Sequence, residues 1–233
     1  MMVTAALPVA AEAAEPVKAV ERNSGKPILP VVPVEGVPLR RFTLDEYHEL
    51  IKIGFFDEDE RIELLEGFLV SMSPIKPPHA YAVDCLLQLF ASLLSRGEIR
   101  LRVQSPISIA ETESEPEPDL VIAKDLGIAY ARRHPHASEV LLVVEVADTT
   151  LVQDRTRKGM VYAQSAIAEY WILNLADESL EVYRDPHVPD TGDAVYQTKL
   201  TFHRGETVAP LAFPDFEVAV DDVLPPPAEG TGD

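Results

Sequence analysis

The sequence predicts an α/β fold, a central mixed β-sheet flanked by helices and preceded by a disordered N-terminal arm. Two observations carry this. The run EVLLVVEVA holds five consecutive apolar residues from Val140 to Val144, which marks a strand covered on both faces. Around it, short strand-like runs such as DLVIA and EYWILNL alternate with segments whose apolar residues recur at helical spacing.

Length and composition set the frame. With 233 residues, 46% of them hydrophobic, the chain can bury one sizeable core, and one main domain is expected over residues 38–224. Residues 1–37 are rich in Ala, Pro, Val and Glu without a sustained period, and Pro8, Pro16, Pro27, Pro30 and Pro33 forbid a long helix. The last nine residues, PPPAEGTGD, offer nothing to a core, so a disordered tail is expected over 225–233. No run approaches the roughly 20 apolar residues that span a bilayer. The start lacks the basic segment of a secretory signal, so a cytoplasmic protein without membrane association is expected. The single cysteine, Cys85, excludes an internal disulfide and a cysteine zinc cage; its place in a helical apolar pattern assigns it to the core.

The net charge is -19. Residues 1–37 hold -1 and the last nine -2, which leaves -16 on the body. A protein that grips phosphates usually carries a basic footprint. Here only local clusters offer one: Arg96, Arg100 and Arg102, or Arg132 and Arg133, or Arg155, Arg157 and Lys158.

Taken in order, the first ordered element is a helix from Thr43, where TLDE has the form of a capping box and Leu44, Tyr47, Leu50 and Ile51 follow at helical spacing up to Gly54. A second short helix is expected over RIELLEG, stopped by Gly67, before FLVSMS turns to strand. Pro74, Pro77 and Pro78 break the chain ahead of His79. A long amphipathic helix follows, with Val83, Leu86, Leu87, Phe90, Leu93 and Leu94 on one stripe and Gly97 at its end. RVQSPISIA reads as a strand at an edge or bulge because of Pro106. DLVIA is a short buried strand, and the connection 124–138, which contains RRHPH, reads as solvent-exposed. After EVLLVVEVA, DTTLVQD is expected as a loop and RTRKGMVYAQSAI as a helix. EYWILNL and LEVYR form a hairpin, VYQTKLTF a further strand, and TVAPLAFPDFEVAVDDVL irregular strand pieces with a last helical turn.

Chemistry enters with Glu145, which continues the apolar strand without a turn residue between. An ionised carboxylate there needs a metal, a cation or several donors. Asp119 opens DLVIA directly after Pro118, and Lys158 lies on the helix that follows the strand of Glu145. If the two strands are neighbours, both carboxylates meet at one point, where a shared proton or a divalent cation relieves their repulsion. Oxygen ligands without Cys or clustered His favour magnesium or manganese, Mg2+ or Mn2+. A lysine beside them can hold a phosphate or orient the attacking water. Plainer readings stand beside these: Asp119 as a strand-edge turn residue, Lys158 paired with Asp154 across one helical turn, Tyr162 as core, and His79 as a loop histidine or a phosphate or proton contact.

PEPDLV, VVEVADTT and DRTRKGMVYAQSAIAEYWIL together resemble the core of the PD-(D/E)XK nuclease superfamily, and more closely its Uma-two branch of restriction endonucleases, in which the motif lysine has moved from the strand to the next helix. The resemblance covers roughly residues 40–224 and takes in IELLEG and SPIKPPHA. It implies a restriction-endonuclease-like fold, with Asp119 and Glu145 as metal ligands, Lys158 as the migrated lysine and Glu63 as the helical carboxylate that completes the site. Two departures stand out: Ala147 occupies the usual lysine position of the motif, and Phe68 stands where related sequences often have an acidic residue. Glu63 also reads as one face of an acidic stretch from Asp57 to Glu66.

The expected function is therefore Mg-dependent cleavage of a phosphodiester bond in nucleic acid, with DNA as substrate and a homodimer as the form that cuts two strands. The alternative is a non-catalytic acidic binding module that keeps the fold and engages a basic partner, which the charge of the body favours. No P-loop, G-x-S-x-G elbow, H-E-x-x-H or zinc spacing competes.

Overall fold

The computed structural model describes residues 39–57 and 59–226, together with two short strands nearer the start. The chain divides into two compact units, Met1–Arg40 and Arg41–Asp233. In the first, β1 (Val20–Glu21) and β2 (Pro27–Ile28) pair antiparallel. The rest of the expected arm, and residues 227–233 of the expected tail, lie outside the described residues.

The second unit starts with α1 (Leu44–Lys52), capped as its sequence demands. Thr43 Oγ1 accepts from the Glu46 amide at 3.2 Å, and Glu46 Oε2 accepts from the Thr43 amide at 3.1 Å. RIELLEG, expected as a helix, is instead strand β3 (Ile62–Leu65), hairpinned to β4 (Phe68–Ser71). The turn explains the difference: Glu66 and Gly67 both have positive φ, 52° and 75°, as a two-residue hairpin turn requires. At Gly67 a Cβ would lie 2.6 Å from the Arg41 Cβ and 2.7 Å from the Phe42 carbonyl oxygen, so only glycine fits. Gly67 therefore turns a hairpin; it does not stop a helix.

In α2 (Pro77–Ala91) the two prolines occupy the first turn, where no amide donor is needed, so they start the helix that carries His79. Val83, Leu86, Phe90 and Leu93 form the buried stripe, whereas Leu87 and Leu94 are exposed and Cys85 is only half-buried. Each corrected residue sits one position off the stripe, about 100° round the helix.

The central sheet has six strands: β5 (Ile99–Val103), β6 (Leu120–Lys124), β7 (Val140–Ala147), β8 (Glu169–Asn174), β9 (Ser179–His187) and β10 (Val195–His203). Their order is β10-β9-β8-β7-β6-β5, with β7 and β8 parallel and every other pair antiparallel. The strand expected over RVQSPISIA lies earlier; it ends at Val103, and Gln104 has φ 44°. In RRHPH, Pro135 is buried and Arg133 and His134 are half-buried, because Arg133 pairs with Glu139 and His134 meets Arg102.

The parallel pair needs a crossover, and the chain supplies a helix over residues 151–164. It consists of α3 (Leu151–Gln153), a π turn (Asp154–Lys158) and α4 (Gly159–Gln164), and so starts inside DTTLVQD, which the sequence presents as a loop. The chain ends in the pair β11 (Thr207–Val208) and β12 (Val218–Ala219), then α5 (Val220–Val223). Side chains of β7 alternate between two cores. Leu142, Val144 and Val146 face α2 and Trp171; Val143 and Ala147 face Val161, Tyr162 and Tyr170 under the crossover helix. Among the described residues no helix is long and apolar enough to cross a membrane.

Candidate active site

Sheet register brings the two strand carboxylates together. Leu120 stands opposite Val144 and Val121 opposite Val143. Strand alternation then places Asp119 and Glu145, one position further out, on the face of Val121 and Val143, beneath the crossover helix. Both side chains line one cavity with Glu63, Lys158 and His79, so the five residues singled out in the sequence meet. Glu63 reaches it from strand β3, not from the helix expected for it. The cavity, about 80 Å³, accommodates a few water molecules or a phosphate-sized group.

Asp119 is 8% exposed. Its Oδ2 accepts from the Val146 amide at 2.8 Å and from His79 Nε2 at 3.1 Å, and Oδ1 accepts from Gln104 Nε2 at 3.2 Å. Burial alone would raise its pKa, but donation from His79, Val146 and Gln104 outweighs burial and holds the carboxyl below its ordinary value.

Glu145 is 4% exposed, and its Oε1 accepts from Lys158 Nζ at 2.9 Å and from the Tyr162 hydroxyl at 2.8 Å. Burial pushes its pKa up to about 8; Lys158 opposes the shift, while Asp154, Asp119 and Glu63 add to it. Lys158, 5% exposed, also lies 3.4 Å from Glu63 Oε2. Burial works against its charge, but Glu145, Glu63 and Asp154 hold its pKa above the ordinary lysine value. Glu63 accepts in addition from the Glu117 amide at 3.2 Å and from Gln153 Nε2 at 3.4 Å.

The π turn sets where this lysine points. The Gly159 amide donates to the Asp154 carbonyl, five residues back, and the Tyr170 hydroxyl of β8 donates to the same oxygen at 3.1 Å. A Cβ on Gly159 would stand 3.3 Å from that oxygen, so the close approach favours glycine. Lys158 then turns to Glu145 and Glu63, and Asp154, which the sequence offers as its simple helical partner, accepts instead from Thr150 Oγ1 at 2.6 Å.

Sequence reasoning missed Gln104 and Gln153, and it treated Asp154 and Tyr162 as bystanders. A signal for the helical members was present: Thr150, Asp154, Lys158 and Tyr162 recur every fourth residue and so share one face. Gln104 gave none, because its approach depends on the chain leaving β5 with positive φ.

Charge determines what the cavity can hold. Glu63, Asp119, Glu145 and Asp154 bury four carboxyl groups around one buried ammonium. Among the described residues no three Asp, Glu, His or Cys side chains already stand as a metal cage, since Lys158 lies between Glu63 and Glu145. The surplus of hard oxygen donors still suits a divalent cation of the magnesium or manganese class, which Asp119 and Glu145 could hold with Glu63 beside them.

The family model for Uma2, described as "Putative restriction endonuclease", matches residues 44–221. Among solved structures, a chain from Anabaena variabilis described as "a putative nuclease belonging to DUF820" superposes with a TM-score of 0.57 at 14% identity, over 78% of this chain and 97% of that one, which establishes a shared fold. No curated protein sequence matches the chain. The matched span takes in every side chain of the cavity described above, and the chain belongs to the Uma2 family of restriction-endonuclease-like proteins.

Proposed function

We propose that this chain is a divalent-cation-dependent endonuclease that hydrolyses phosphodiester bonds in DNA. The observation that carries the reading is the buried amine of Lys158, set between Glu145 and Glu63 in a cavity that also receives Asp119. Asp119 and Glu145 would hold a magnesium or manganese ion, with Glu63 completing its surroundings. Such an ion, when bound, supplies Lewis acidity to the phosphate and lowers the pKa of a coordinated water.

The chain's own residues do the rest. His79, Gln104 and the Val146 amide fix the orientation of Asp119. Tyr162 and Lys158 both donate to Glu145 Oε1, which orients that carboxylate. The Lys158 ammonium, buried between Glu145 and Glu63, is the donor aimed at charge that develops on the phosphate oxygens. Cutting both strands calls for two such sites, which a homodimer would provide.

Conversion of supercoiled plasmid to nicked circles in magnesium or manganese tests the reading. Wild-type protein should nick, and Asp119→Asn, Glu145→Gln and Lys158→Met should each lose roughly 10²-fold or more in rate. Equal rates in all four preparations would assign the activity to a contaminant. Absence of nicking in every metal, with a folded protein, would favour the acidic binding module.

A further inference from the structure

The cavity continues into a second groove. The two share Ser73, Thr149, Thr150 and Gln153, and the groove then runs past Val70 and Thr156 to Arg157. Among the described residues that line it, Arg157 is the one charged side chain, and the other polar groups are hydroxyls and an amide. In a chain of net charge -19, a channel whose lining holds no carboxylate, leading out of a cavity that buries four, is electrostatically distinct from that cavity.

Arg157 is held ready at the end of that channel. Its guanidinium lies over the Phe68 ring, 5.6 Å from the centroid, and 3.1 Å from Glu66 Oε2. It remains 45% exposed, so the pair with Glu66 is a surface ion pair, worth about 0–1 kcal/mol and open to exchange for another anion. Stacking on Phe68 keeps the planar fork oriented, and that fork matches two oxygens of a phosphate. Phe68 thereby acquires a role as the ring beneath Arg157. Lys158 and Arg157 are consecutive on the π turn; one is buried in the cavity and the other lies outside along the groove.

We propose that this groove carries the nucleic-acid strand flanking the scissile phosphate, and that Arg157 grips a neighbouring phosphate of that strand. The inference rests on the nuclease reading, since a strand whose phosphate reaches Lys158 leaves past Thr149 and Thr150. Hydroxyl, amide and guanidinium donors are the groups that contact phosphates and sugars without reading sequence. The grip therefore contributes affinity and register for nucleic acid of any sequence.

The test is fluorescence anisotropy of the full chain with a fluorescein-labelled 20-base-pair DNA duplex and the corresponding single strand. Calcium replaces magnesium so that binding is read apart from cutting, and the titration is repeated over a salt series. Arg157→Gln should raise Kd about 3- to 30-fold and lower the slope of log K against log salt by about 1 on whichever form the wild type binds. Phe68→Leu, which removes the stacking ring but keeps bulk, should give a smaller rise. Lys52→Gln, an exposed change on α1 outside both cavities, should change neither quantity. Wild-type Kd and slope in Arg157→Gln, with binding intact, would overturn the groove while leaving the nuclease reading in place. Absence of binding to either DNA by the wild type would overturn the groove as well, and plasmid nicking then decides separately whether the nuclease reading also falls.

Discussion

The hydroxyl of Tyr170 donates to the carbonyl of Asp154 across 3.1 Å, from a strand of the sheet to the turn of helix that carries Lys158. That oxygen also receives the Gly159 amide, the bond that defines the π turn. A helix left to itself would bond residue 158 back to residue 154; the extra residue in the turn changes the angle at which Lys158 leaves the helix. Tyr170→Phe keeps the ring in its edge-on contact with Tyr162, centroids 4.9 Å apart, and removes only the hydroxyl. Stability should fall by about 1 kcal/mol, and the nicking rate at saturating DNA should fall several-fold with little change in KM. Thermal melts and steady-state kinetics read both. A lower melting temperature with an unchanged rate would show that the turn holds without Tyr170.

Lys158 and Asp119 should separate metal binding from turnover. Lys158→Met removes the one buried cation among four buried carboxyl groups, so a divalent ion meets less competition for Glu145 and Glu63. Calorimetric titration with manganese should therefore show binding at least as tight as in the wild type, while nicking is lost. Asp119→Asn should weaken manganese binding tenfold or more, because a neutral amide is a poorer ligand and leaves His79 Nε2 without its carboxylate acceptor. Loss of binding in Lys158→Met would mean that the amine organises the carboxylates instead of competing for them.

These residues show how much of the site the sequence carried. Asp119 and Glu145 were legible because an acid at the end of an apolar strand is anomalous on burial grounds alone. Their convergence also follows from strand order, which β6 and β7 satisfy as an antiparallel pair. Lys158 was legible through its spacing on the helix, but its aim was not, since that depends on a π turn supported from β8, which no local pattern encodes. Glu63 was assigned to the wrong element: IELL has too few residues to separate a period of 2 from one of 3.6, and the close packing that makes Gly67 a hairpin residue comes from Arg41 and Phe42, distant in sequence. The stripe expected for the α2 segment was too generous at Leu87 and Leu94 for a similar reason: apolar character does not say which side chain faces the sheet.

Glu181 should govern part of the acid sensitivity of the fold. Its carboxylate is buried on β9, where three donors converge: Arg155, Lys199 at 2.9 Å and the Tyr183 hydroxyl. Burial pushes its pKa up, but Arg155, Tyr183 and Lys199 outweigh burial and bring it down to about 2. A depressed folded pKa means stability that is present in full above the unfolded value of about 4.3 and is lost as pH falls from there towards 2. Because Arg155 and Lys199 are themselves partly exposed, the loss attributable to this group is discounted to about 1–2 kcal/mol. Urea midpoints measured from pH 7 to pH 3 should fall more steeply for the wild type than for Glu181→Gln. Parallel pH profiles would place the acid sensitivity elsewhere.

A divalent cation should stabilise the folded chain even where no substrate is present. The cavity gathers Glu63, Asp119, Glu145 and Asp154 around Lys158, and unfolding disperses them, so an ion that binds the cavity favours the native state. At a free concentration 100 times its Kd the stabilisation is about 2.7 kcal/mol. For a domain of this size that corresponds to a rise in Tm of roughly 5–10 °C. Magnesium and manganese chloride should produce the rise, and sodium chloride at matched ionic strength should not, because general screening acts on the whole negative surface and not on one buried cluster. Asp119→Asn and Glu145→Gln should each remove most of the shift, whereas Lys158→Met should retain it. The comparison isolates the cavity from the other acidic side chains, which are the same in all four proteins. A Tm that ignores both metals in the wild type would remove the cation from the site and, with it, the role assigned here to Asp119.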